Sequence, residues 1–495
     1  MKYAIIRLGG QRNRSGTRSI ESNGGWWVQF GSDMLICSAT GRWQGLIDGP
    51  GGAARSVTGE GDVRKGDMHL VVQKGRTFQM ENPDARLLLD KGRYLVVEMP
   101  RAEARKLAGR TDPCFHIEPL KRNSVVFEER LPSAGAVRAA EARVQDIVAA
   151  VQQATFEAAI AHLVSFRTRL STSPEYTEVT EWARGQFEAL GLTTTLTPVA
   201  VGAGRSSNVI GTLAGTGGAD RGAVLVVAHL DSINHPGGPS APAPGADDNA
   251  SGSAGILTLA KSMAGRSFSH DLTFILFGGE EQGLNGSEQY VAGLSQVDRR
   301  RIRAVLNMDM IGAVNAKPPA VLLEGAALSQ QVIEGLATAA AQFTGLTVQI
   351  SLNPFASDHV PFIQAGIPAV LTIEGADSAN DAIHTANDTL DRIDAGFATD
   401  ILRMNAGYLA ATAEVSEQPH PVPASCGCGG TPQVDPSLMG EVNALSAHYQ
   451  ALFALYTRLS RDGSIQRADY ANWQSALDSH KTLFSGTGLR PPGAQ

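Results

Sequence analysis

Residues 223–232 read AVLVVAHLDS. Six apolar residues in a row, with none of the alternation of a half-wet strand, are the pattern of a strand buried on both faces. A histidine and an aspartate follow at once. The same arrangement recurs downstream. The run LTFILF at 272–277 leads into GGEEQG at 278–283, and AVLNM at 304–308 leads into Asp309. The run IPAVLTIEG at 367–375 is followed by a loop and then by HTANDT at 384–389. A shorter strand is expected at 321–324, and helical stretches at 250–264, 286–294 and 329–343 lie between the strands. Alternating strand and helix predicts an α/β, three-layer domain around a mostly parallel mixed sheet.

In open α/β sheets, ligands bind outside the carboxyl ends of the strands. Here those ends carry His229 and Asp231, then Glu280 and Glu281, then Asp309, then His384. A glycine- and proline-rich loop adds Asp247 and Asp248 from GADDNASG, 245–252, which opens a helix. Carboxylates gathered in one crevice repel one another unless a positive charge joins them. Divalent cations do this. Imidazoles and carboxylates without cysteine suit zinc, cobalt or manganese, and the imidazoles tilt the choice toward zinc. Each residue alone has a plain reading. A single histidine is more often a core residue, Asp247-Asp248-Asn249 suits a helix N-terminus, and Glu280-Glu281 suits a solvated pair. Their shared position at strand ends favours the cation site.

The motifs HLDS, PGADDNASG, FGGEEQGLNGS, NMDMIG, SDHVPF and HTANDTLD, in this order, resemble the aminopeptidase Y / bacterial leucyl aminopeptidase family of zinc exopeptidases. The resemblance covers about residues 155–417. It implies the zinc-exopeptidase (phosphorylase/hydrolase-like) fold, two Zn2+ per chain with Co2+ or Mn2+ as substitutes, and removal of amino acids from the N-termini of peptides. It places His229 and Asp309 on one metal, Glu281 and His384 on the other, and Asp247 between them. Glu280 becomes the general base. Asp231 becomes the partner of the far nitrogen of His229, fixing its tautomer. Asp248, Asp358, His359 and Asp388 take supporting places. Asp358 and His359 border the pocket, and Asp388 braces the loop of His384. His235 is weighed as a ligand and set aside. Two cations can polarise a carbonyl and acidify a shared water, so a neighbouring carboxylate can take its proton. The same fold also hosts carboxypeptidases, glutaminyl cyclases and binding domains that have lost their metal ligands.

The flanks read differently. Residues 1–135 show short β-like runs at 26–30, 69–73, 94–99 and 115–120, with a helix at 100–107. They are expected to form a small α+β module packing on, or preceding, the main domain, either as a cover over the crevice or as a structural accessory. The exopeptidase domain is set at 136–419, a Pro/Gly-rich linker at 420–437 and a helical tail at 438–495. With 495 residues, 43% hydrophobic and 18% charged, the composition is that of a globular chain. The net charge of -7 and the lack of a basic stripe argue against nucleic acid or a membrane surface as partner, and the resemblance implies peptide substrates. Four cysteines, Cys37, Cys114, Cys426 and Cys428, are too few for a disulfide scaffold. The N-terminus lacks a signal-peptide pattern, so a cytoplasmic location is expected, although the resembling proteins are commonly secreted.

Overall fold

The computed structural model describes residues 1–8, 17, 20–22, 24–41, 56–64, 66–110, 114–131 and 141–416. The strands in chain order are β1 (Lys2–Arg7), β2 (Trp26–Phe30), β3 (Asp33–Ser38), β4 (Ser56–Asp62), β5 (Met68–Gln73), β6 (Arg86–Lys91), β7 (Tyr94–Glu98), β8 (Phe115–Pro119) and β9 (Ser124–Arg130). They continue with β10 (Thr193–Val201), β11 (Gly204–Leu213), β12 (Ala223–His229), β13 (Asp271–Phe277), β14 (Ile302–Met308), β15 (Ala320–Gly325), β16 (Thr347–Ser351) and β17 (Ala369–Glu374). The large sheet runs β10-β11-β13-β12-β14-β17-β15-β16-β9-β2-β3-β1-β4. Its centre, β13-β12-β14-β17, is parallel.

The register explains why the functional loops meet. His229 at the end of β12 pairs with Phe277 at the end of β13, so Gly278–Glu281 emerges beside it. Val227 pairs with Asn307, and Met308 pairs with Thr372, which brings the ends of β14 and β17 close to the same level.

Apolar runs are continuous because both faces are covered. Val224, Val226 and Ala228 point into one core, shared with helices α1 (Ala142–Ala149), α2 (Gln153–Val164), α3 (Pro174–Ala189), α4 (Gly252–Met263), α5 (Gln330–Phe343) and α6 (Ala395–Thr412). Leu225 and Val227 point to the other face, against Val291 and Phe362. This period of two along a strand with two buried faces is what makes the three layers. Helix α4 is buried along almost its whole length, Lys261 excepted, as a helix apolar on all sides must be. It packs directly behind the loop that carries Asp247 and Asp248. Helix α3 starts where Ser173 accepts from the Tyr176 amide and Pro174 opens the first turn. Among the described residues no single helix is long and apolar enough to cross a membrane.

The expected boundary at residue 135 does not separate two bodies. Residues 1–420 cluster as one compact unit. Strand β9 pairs antiparallel with β16, and β2 pairs parallel with β9, so the N-terminal strands extend the same sheet. Without β9 the backbone edge of β16 would be bare, and bare edges invite wrong pairing. One core joins Val28, Phe30, Tyr94 and Phe127 to Met310, Leu322, Leu371 and Ile373. A second sheet, β6-β7-β5-β8, belongs to the same region. From it the buried Arg93 grips Glu324 with two hydrogen bonds of 2.9 Å and reaches Asp377 at 3.3 Å. The Tyr94 hydroxyl donates to Glu324 at 2.7 Å. The linker at 420–437, the tail at 438–495 and Cys426 and Cys428 lie outside the described residues.

Candidate metal centre

The site starts at the end of β12. His229 is fully buried, and its Nε2 lies 3.2 Å from Asp248 Oδ1 and 3.4 Å from Asp309 Oδ1. The other oxygen of Asp248 lies 3.1 Å from His384 Nε2, which is in turn 3.0 Å from Glu281 Oε2. Two ligand sets therefore share one carboxylate. They are His229, Asp248 and Asp309, and Asp248, Glu281 and His384, with the ligand atoms of each set within 4.8 Å of one another.

Backbone anchoring holds this geometry. Both oxygens of Asp388 accept backbone amides, from Asp247 and from Asp248, each at 2.9 Å. Asn249 donates to the Met308 carbonyl at 2.9 Å and accepts the Gly252 amide at 2.8 Å, tying the loop to the end of β14. The buried Arg169 donates to the carbonyls of Leu230 (2.9 Å) and Gly245 (3.0 Å), bridging the start and end of the long loop. Asp231 accepts the amides of Glu280 (3.3 Å) and Glu281 (3.2 Å), which fixes the turn after β13. Ser357 donates to Asp309 Oδ2 at 2.8 Å.

Charge in the cluster is uneven. Burial pushes the Glu280 carboxyl well above the usual carboxylate range, against the pull of Lys74 and His229. Burial also acts on Asp248, but Lys74 and the two histidines outweigh it and hold that group well below the range. Burial disfavours charge on both imidazoles. Even so, Glu280 and Asp309 raise His229, and Glu281 and Asp248 raise His384, well above the ordinary imidazole range. Burial takes Asp247 and Asp388 up to about 7.

The donor set fits divalent metal. Buried polar groups are nearly always hydrogen-bonded. Here His229 Nε2, both oxygens of Asp248, Asp309 Oδ1, Glu281 Oε1 and His384 Nε2 have no hydrogen-bond partner. All belong to the two ligand sets. Nitrogen and carboxylate oxygen together suit zinc, with cobalt or manganese as substitutes.

Several expected positions need correction. Asp247 does not lie between the two sets. Its Oδ1 accepts the amides of Gly312 (2.9 Å) and Ala313 (3.0 Å), and its Oδ2 accepts from Asn380 (2.9 Å), so it braces the neighbouring loop. The residue between the imidazoles is Asp248, which the sequence reading gave a supporting place. Asp231 meets His229 Nδ1 through its backbone carbonyl at 3.2 Å, while its carboxylate, 3.6 Å away, is engaged by the two glutamate amides. Asp388 braces the Asp247–Asp248 loop rather than only its own. Asp358 and His359 are fully buried, and His359 sits 3.5 Å from Glu324 in the Arg93 network. His235 stacks edge-on to His384 with ring centres 4.7 Å apart. With Cys114 these two histidines form a third group of ligand atoms within 4.8 Å.

Sequence reasoning missed Lys74, Arg169, Asn380 and Cys114. Lys74 directly follows strand β5 and Cys114 directly precedes strand β8, where no motif surrounds them. An arginine between small residues, as in TRLST at 168–172, carries no signal of burial either.

Comparison with known proteins finds relatives for part of the chain. Leupeptin-inactivating enzyme 1 of Streptomyces exfoliatus is 34% identical over 203 residues, 40% of this chain and 42% of that one. Aminopeptidase YwaD of Bacillus subtilis is 33% identical over 176 residues, 34% of this chain and 36% of that one. The chain thus spans about two fifths of the length of these curated relatives. The crystal structure of the LapA aminopeptidase of Legionella pneumophila shares the fold, with a TM-score of 0.50 and 18% identity over 70% of this chain and 99% of that one. LapB of the same organism gives 0.50 and 19% over the same shares. Residues 208–409 match the model of Peptidase family M28.

Proposed function

We propose that the protein is a metallo-aminopeptidase that holds two zinc ions, one in each ligand set, with Asp248 as the shared carboxylate. The observation that carries this reading is the placement of the two oxygens of Asp248, 3.2 Å from one imidazole and 3.1 Å from the other. Each imidazole is accompanied by a further carboxylate, Asp309 or Glu281. Bound there, two divalent ions would supply Lewis acidity toward a scissile carbonyl and an acidified water.

The rest of the chemistry belongs to the chain. Glu280 adjoins Glu281 in sequence but stands apart from both ligand sets, with Oε2 3.9 Å from His229 Nε2. A carboxyl raised by burial is suited to take a proton from the attacking water and pass it to the leaving amine. Asp231, on the amides of Glu280 and Glu281, keeps base and ligand in fixed relation. Asp388 does the same for Asp248. His384 has a positive φ of 57°, a strained conformation that turns its ring into the site.

The test is a panel of aminoacyl substrates with free and blocked amino termini, assayed with zinc and after chelation. Cleavage of the free amines alone, lost on chelation and restored by zinc, is the expected result. Cleavage of the blocked substrates, or activity indifferent to chelation, would remove the aminopeptidase reading.

A further inference from the structure

One group of ligand atoms meets the carboxylate-rich sets only through a shared imidazole. Cys114, His235 and His384 offer a thiol and two ring nitrogens within 4.8 Å of one another. They come from three distant segments. Cys114 directly precedes β8, and its carbonyl accepts the Lys74 amide at 2.9 Å, which ties it to the end of β5. Gly75, the residue after Lys74, has φ +60°, and a Cβ there would come within 2.8 Å of Ile383, the neighbour of His384. His235 lies in the loop after β12, and its amide donates to the His384 carbonyl at 3.0 Å. The two rings meet edge to face, with centres 4.7 Å apart. Backbone contacts thus bring all three segments together.

The donor chemistry sets this group apart. The two sets of the centre pair imidazole with carboxylate, whereas this one has sulfur in place of carboxylate. Thiolate with imidazole selects zinc and softer ions over magnesium, calcium or manganese. Three protein ligands leave a fourth tetrahedral position for water. Exposure increases outward, since His384 is buried, Cys114 half-buried and His235 exposed. An ion can therefore approach from solvent on the His235 side. Inside, His384 Nε2 faces Glu281 at 3.0 Å and Asp248 at 3.1 Å. A cation on Cys114 and His235 would draw on that same ring and set a positive charge beside the centre, where like charges repel.

We propose that Cys114, His235 and His384 form a separate thiolate-containing site for zinc or another thiophilic divalent cation, and that its occupation inhibits the enzyme. As the sulfur–metal bond forms, the Cys114 thiol gives its proton to water. The ion draws His384 away from the centre, and activity falls. The inhibition rests on the two-metal reading above; the site itself does not.

Cobalt titration of the full chain tests the site, because thiolate bound to Co2+ gives a near-ultraviolet charge-transfer band that nitrogen and oxygen ligands do not give. The parent protein carries Cys426→Ser and Cys428→Ser, so that neither of those thiols contributes. The band should appear in the parent, be absent after Cys114→Ser and require a higher cobalt concentration after His235→Ala. No band in the parent, or a band that persists after Cys114→Ser, would overturn the proposal. Should the Cys114→Ser protein fail to fold, an unshifted titration after His235→Ala would overturn it. Activity is read alongside. Excess zinc should remove most of the parent's aminopeptidase activity and spare the Cys114→Ser protein, and equal loss in both would overturn the inhibitory role. Activity absent from the parent at every zinc concentration would overturn the aminopeptidase reading, and the cobalt band would still decide the site.

Discussion

Asp248 presents one oxygen to each of two imidazoles because its own amide and that of Asp247 are both held by Asp388. Its neighbour Asp247 is turned the other way, onto the amides of Gly312 and Ala313. Asp248→Asn should therefore lose zinc, read as metal per chain after dialysis. Asp247→Asn should keep most of its zinc while losing about 1–3 kcal/mol of stability, as a buried hydrogen-bonding group is mispaired. The reverse ranking would assign the shared carboxylate to Asp247. Glu280→Gln should retain zinc and lower kcat by about a hundred- to ten-thousandfold, the range for a general base. Near-normal turnover would remove Glu280 from that role. At this scale the sequence was legible in residue type but not in direction. Two consecutive aspartates in GADDNASG are chemically identical, and which one faces the crevice depends on where Asp388, Gly312 and Asn380 stand. Those residues are distant in the chain, so no local pattern reports them.

The elements that carry the site are strand ends at one level and a loop wedged behind them. Gly252 shows how tight the wedge is. A Cβ there would come within 2.4 Å of both the Met308 carbonyl and Asn249 Oδ1. Gly252→Ala should cost about 1–3 kcal/mol by overpacking, and zinc content should fall with it because the displaced atoms belong to the loop of Asp248. A drop in Tm without loss of zinc would mean the loop absorbs the strain elsewhere. The central strands were legible because burial on both faces leaves uninterrupted apolar runs, as in AVLVVA and LTFILF. Strands β10 and β11 were not. TTTLTPVAV and GRSSNVIGTL are half-polar and pair only with each other and with β13 along the sheet margin. Their strand character comes from that pairing, not from composition.

In the whole molecule the N-terminal strands and the family segment share one sheet, one core and the buried Arg93–Glu324 pair. Arg93→Leu would leave Glu324 buried without its partner and should cost about 3–5 kcal/mol in a denaturant titration. Against burial, Arg93 and His359 take Glu324 from 4.5 down to about 2. A carboxyl lowered in the folded state binds fewer protons there than in the unfolded chain. Its stabilisation is present above about pH 4.5 and is lost as pH falls toward about 2. Wild type should lose stability across that window, and Arg93→Leu should show a shallower slope; parallel slopes would count against the pair. Removing residues 1–135 should give an insoluble or unfolded chain, since it strips β9 from β16 and opens a shared core. A soluble and faster truncated enzyme would instead mark these residues as a removable cover. The sequence did not report that the N-terminal strands continue the main sheet, because short strands such as TVQIS and SVVFEER state nothing about a partner far along the chain. The measurement that bears most directly on the centre is an anomalous difference map at the zinc edge from crystals grown with zinc. It should show two peaks flanking Asp248, each about 2.0–2.2 Å from a carboxylate oxygen and an imidazole nitrogen. Zinc bound elsewhere, or no peak beside Asp248 at saturating zinc, would contradict the account.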